Sequence, residues 1–92
     1  MGFGNAIFRI GGSEAKAVVY SNELMRLSPL EGYLSKGYIE EYFGRNKKAE
    51  LNYIKAFELT NSKLAFQKLY NLYLYKMKNS DKAKQLKEQF EK

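Results

Sequence analysis

Apolar residues recur along this chain at intervals of three and four, separated by short polar or glycine-containing breaks, and the pattern predicts a run of amphipathic helices. Pro29 is the only proline, and the residue before a proline is biased away from helix, so a first clear helix should close near Leu27. Ala17, Tyr20, Leu24 and Leu27 form its stripe, and Ser13-Glu14-Ala15-Lys16 opens it, giving a helix over 13–27. Leu30, Tyr33, Leu34, Gly37, Tyr38 and Tyr42 keep helical spacing as far as Phe43, where Gly44-Arg45-Asn46 makes a break. A third helix over 46–59 carries Ala49, Tyr53, Ala56 and Phe57, and Thr60-Asn61-Ser62 ends it and caps a fourth over 63–77. The fourth is apolar around most of its circumference, from Leu64 and Phe66 to Leu74 and Met77, which places it among neighbours on several sides. Ala83, Leu86 and Phe90 leave only a narrow stripe on a Lys/Glu-rich last helix, as suits a cap. Asn5 to Ile10, bracketed by glycines, has a length that permits a short helix or a strand.

The helices repeat. A shift of thirty-four residues sets Ala83 under Ala49 and Asn71 under Gly37, and Ala17 lies thirty-two residues upstream of Ala49. A period in that range marks a helical solenoid, a class built for binding. On these residues the middle of the chain resembles the tetratricopeptide repeat. Tyr33 and Gly37 fit its first helix, with Lys36 and Glu40 replacing the usual Leu and Tyr; Ala49, Tyr53, Ala56 and Leu59 fit its second, and Asn61 replaces the usual Pro. The flanking units match less closely, through Phe8, Gly12, Ala17, Leu24, Leu27 and Pro29 on one side and Tyr70, Leu74 and Ala83 on the other. The resemblance implies an all-α fold, a short right-handed α-solenoid of about three helix-turn-helix units, five to six helices in one domain, with units over 1–29, 30–61 and 62–92.

Composition narrows function further. At 92 residues only about three-fifths to two-thirds of the unfolded surface can be buried, so a deep catalytic cavity is hard to build. Neither Cys nor His is present, which removes thiol nucleophiles, disulfides, imidazole bases and the usual zinc ligands together, and the expectation is a non-enzyme without metal or cofactor. Glu40 and Glu41 are adjacent, so on a helix they point about 100° apart, the wrong geometry for a carboxylate dyad. No apolar run is long enough to cross a membrane; the chain reads as soluble, and its lack of cysteine fixes no compartment.

The net charge of +6 is almost all C-terminal: residues 62–92 hold eight lysines against three acids. Clustered lysines can meet phosphate backbones or anionic membranes, but these spread around the last helices and only three arginines are available for bidentate contacts, which disfavours nucleic acid. The resemblance implies instead a concave face lined by the first helix of each unit. Carried over residue by residue, it would present Arg9, Leu34, Tyr38, Glu41, Tyr42, Lys68, Leu72, Tyr75 and Lys76, with Ala6, Ile10 and Glu31 beside them. Tyrosine offers an apolar face with a polar tip and lysine receives a carboxylate, so an extended acidic or C-terminal peptide is the natural guest, and the groove would receive a peptide or helix of a partner protein. The alternative is self-association, with Phe3, Ile7, Phe8 and Ile10 covering an open N-terminal end in a homodimer.

Overall fold

Ser28 and Pro29 divide the first two helices in a computed structural model that describes residues 14–91: α1 spans Glu14–Leu27 and α2 spans Pro29–Tyr42. Ser28 is extended (φ −154°, ψ 105°), its Oγ accepts the Glu31 N–H at 3.4 Å, and Pro29 takes a first-turn position where its missing N–H costs nothing. α3, Asn46–Thr60, ends on Asn61, which is left-handed (φ 51°) and donates its N–H to the Phe57 carbonyl at 2.7 Å. Asparagine tolerates that conformation better than most side chains.

Ser62 Oγ accepts the N–H groups of Leu64 and Ala65 at 3.1 and 3.3 Å and so opens α4, Lys63–Asn71. The sequence reading runs this helix regularly to residue 77; the structure instead continues it as a π-helical turn over Leu72–Lys76, with the Met77 N–H on the Leu72 carbonyl. Lys78 then turns left-handed (φ 54°), the Asn79 N–H reaches back to the Tyr73 carbonyl, and Asn79 Oδ1 accepts the Lys82 N–H to start α5, Ser80–Glu91. Among the described residues all regular structure is helical, and none of these helices is long and apolar enough to cross a membrane.

Short links fold successive helices back on one another. α1 and α2 are antiparallel: Gly32 lies against Met25, Lys36 Nζ donates to Asn22 Oδ1 at 2.6 Å, and Arg45, just past α2, reaches Glu14. A Cβ on Gly32 would stand 2.5 Å from Met25 Cα, so the two backbones are in direct contact. α2 and α3 meet in the same sense through Lys55 over Tyr33 and Gly37 beside Tyr53. α3 and α5 run in one direction, joined by Glu50 with Lys82 and by Phe57 with Phe90.

Two cores result. The larger joins α2 to α5 through Leu34, Tyr53, Phe57, Leu69, Leu72 and Tyr73, with Ala49, Ala56, Ala65 and Ala83 at the helix contacts. Each fully buried leucine contributes about 1.5–3 kcal/mol, while the alanines contribute mainly by letting helices approach. The smaller pairs Ala17 with Ile39, flanked by Tyr20 and Tyr38. The three alanines aligned by the repeat, Ala17, Ala49 and Ala83, are all buried. Ser21 and Ser35 are buried too; Ser21 Oγ donates to the Val18 carbonyl, whereas Ser35 Oγ has no hydrogen-bond partner.

Candidate partner-binding face

α2 and α4 come together where Lys68 Nζ sits 5.8 Å from the centroid of the Tyr38 ring, within reach of a cation–π contact. Tyr38 is half-buried, and burial, helped by the charge of Glu41, pushes its phenol above the ordinary range. Glu41 is turned inward: it accepts the Tyr53 hydroxyl at 2.9 Å, and burial of Tyr53 together with the Glu41 charge and hydrogen bond holds that phenol far above the usual tyrosine value. Tyr42 is exposed and meets the ring of Phe43 edge-on at 5.0 Å. Tyr75 and Lys76 are exposed on the π turn.

Two residues expected on this face are not on it. Leu34 is 1% exposed and Leu72 fully buried, both in the larger core. Along α4 and the π turn the buried positions run Ala65, Leu69, Leu72 and Tyr73; Leu69 and Tyr73 keep the register of buried Ser35 and Ile39, while Asn71, expected at the contact that Gly37 makes in α2, is exposed and Leu72 is carried inward where the π turn begins. Leu34 lies beside buried Ser35 on a helix wrapped by α1 and α3, leaving it no outward path. Glu31 is exposed. Ala6 and Arg9, and the self-association residues Phe3, Ile7, Phe8 and Ile10, lie outside the described residues.

The opposite side carries features absent from the sequence reading. A cleft of about 330 Å³ lies between α1 and α3, with Ile39 and Ser21 inside, Val18 and Leu51 at its sides, and Lys36, Glu40 and Lys48 at its rim. Its acid is taken: Arg45 donates to both Glu40 oxygens, from Nε at 2.8 Å and Nη2 at 3.1 Å. A smaller cleft of about 210 Å³ lies between α3 and α5, where Tyr73, Lys82 and Gln85 stand thirty-four residues after Ile39, Lys48 and Leu51. The signal for the first was Leu51, an apolar residue off the Ala49–Tyr53–Ala56 stripe; it is 59% exposed.

Behind the second cleft, buried Glu50 accepts the Tyr73 hydroxyl at 2.8 Å and Lys82 Nζ at 3.0 Å, with Lys47 Nζ at 3.5 Å. Burial pushes the Glu50 carboxyl up, but the Tyr73 and Lys82 hydrogen bonds and the two lysine charges outweigh it and hold the group below the ordinary glutamate value. One lysine of the basic C-terminal segment, half-buried Lys82, is thus paired with Glu50, while Lys76, Lys78, Lys84 and Lys87 are exposed. Glu40 and Glu41 are held by different partners, Arg45 and Tyr53, in keeping with their divergence on α2. Comparison of the chain with protein-family models, with curated proteins and with solved structures returns no match.

Proposed function

We propose that this chain is a protein-interaction module of the tetratricopeptide-like kind, a short α-solenoid that receives an extended acidic peptide of a partner on the α2/α4 face. The observation that carries the reading is Lys68 over Tyr38, a cationic and aromatic bridge between two helices, with Tyr42 exposed one turn farther along α2 and Tyr75 and Lys76 exposed on the π turn that continues α4. Tyrosine contributes area at low entropic cost and a lysine pairs with an incoming carboxylate, the combination that interface anchors favour. The stack itself is supported by the parallel run of α3 and α5, whose contacts join residues thirty-two and thirty-three apart, Glu50 to Lys82 and Phe57 to Phe90.

Panning a displayed library of linear peptides on the wild-type chain tests this. Enriched peptides should be rich in Asp and Glu and should bind a Tyr75→Ala/Lys76→Glu variant at least tenfold more weakly. Both residues are exposed, so the variant should keep its circular dichroism spectrum and melting temperature. Undiminished binding by a folded variant, or enrichment without acidic bias, would overturn the reading.

A further inference from the structure

The cleft between α1 and α3 lies apart from the face assigned above, and its chemistry is specific. Val18, Ile39 and Leu51 give it an apolar lining, and Leu51 projects into solvent as the side of an open trough. An exposed leucine beside an apolar hollow is surface that a partner's aliphatic side chains can cover. The trough runs between two helices that both pack antiparallel to α2, so its long axis follows theirs. An amphipathic helix laid along it would seat residues spaced i, i+3 or i+4, and i+7.

The rim settles the charge of that helix. Glu40 and Glu14 share the guanidinium of Arg45, whereas Lys36 leans on Asn22, a neutral amide, and forms no ion pair among the described residues; with Lys48, the rim keeps a net excess of positive charge. Lys48 is exposed, with no carboxylate within ion-pair distance among the described residues. Farther along α3, Lys55 and Leu59 continue the alternation begun by Lys48 and Leu51. A second copy of this chain would bring the same lysines and a net charge of +6 against this rim, and like charges at a contact are costly.

We infer that the α1–α3 cleft is a second docking site, for an amphipathic helix of a partner protein whose aliphatic ridge is flanked by Asp or Glu. The ridge covers Val18, Ile39 and Leu51, and the flanking carboxylates meet Lys36 and Lys48.

The probes are a panel of synthetic amphipathic helices with a leucine ridge and flanking glutamates, and the same panel with lysine for each glutamate. Binding is read by fluorescence anisotropy and by amide chemical-shift mapping of the labelled protein. The glutamate helices should bind, shift the amides around Val18, Ile39 and Leu51, and weaken as salt is raised. Leu51→Glu and Lys48→Glu should each lower affinity at least tenfold; both positions are exposed, so folding should survive, as circular dichroism would verify. The Tyr75→Ala/Lys76→Glu variant should bind these helices as the wild type does, which separates this site from the α2/α4 face. Failure of every glutamate helix to bind, equal binding by the lysine panel, or shifts confined to α2 and α4 would overturn the inference. So would a dimer in sedimentation that dissociates on Leu51→Glu, because the occupant would then be a second copy.

Discussion

Tyr53 occupies the space that any side chain on Gly37 would need. A Cβ built on Gly37 would stand 2.5 Å from Tyr53 Cδ1, and the ring has nowhere to go, being fully buried with its hydroxyl tied to Glu41. This single juxtaposition fixes how closely α2 and α3 approach.

Gly37→Ala is therefore expected to destabilise despite alanine's better helix propensity. Propensity favours the variant by about 1 kcal/mol, whereas forcing a methyl into a filled core typically costs about 1–3 kcal/mol, so the net loss should be up to roughly 2 kcal/mol. Urea denaturation monitored by circular dichroism checks it. Tyr53→Leu introduced beside Gly37→Ala should recover part of that loss; strict additivity of the two changes would mean that the clash is not its source.

The Glu50 cluster predicts an acid-side effect. In the unfolded chain Glu50 titrates near its ordinary value of 4.5, whereas in the fold it lies below it. Its ionised form thus adds stability that is fully present above 4.5 and is lost as the pH falls through the folded-state value. Glu50→Gln should cost about 1–3 kcal/mol at neutral pH, the usual scale for hydrogen bonds to a charged group. The gap between wild type and variant should then narrow in melts taken from pH 6 down to pH 3. A gap that stays constant over that range would remove the carboxylate's charge from the explanation.

Ser35→Ala runs the other way. Its hydroxyl is buried without a hydrogen-bond partner, so deleting the oxygen removes a desolvated polar group and leaves little space behind. Stability should be unchanged or should rise by up to about 1 kcal/mol in the same urea titration. A clear loss would show that the hydroxyl is satisfied in solution.

Much of the fold was legible because its devices are local. A lone proline, a serine with free N–H groups just ahead of it, and alanines or glycines where helices touch each act within a few residues, and they placed the helix ends close to where they lie. The π turn was not legible, because Leu72 to Lys76 also read as ordinary helix. The exposure of Tyr42, Tyr75 and Lys76 and the partial exposure of Tyr38 and Lys68 were accessible to pattern reasoning because amphipathicity separates wet from dry positions. Leu34 was missed because α2 is flanked by both α1 and α3, and Leu72 because the π turn begins there, while the α1–α3 cleft arises only when two helices distant in sequence stand side by side.

The packing of each helix mainly on its neighbours in sequence has a kinetic consequence. Between described residues, the hydrogen bonds, ion pairs and ring contacts span at most the interval from Phe57 to Phe90, and most are shorter. Little loop entropy has to be lost before any one contact forms, so the domain should fold on the microsecond-to-millisecond scale of helical proteins with low contact order.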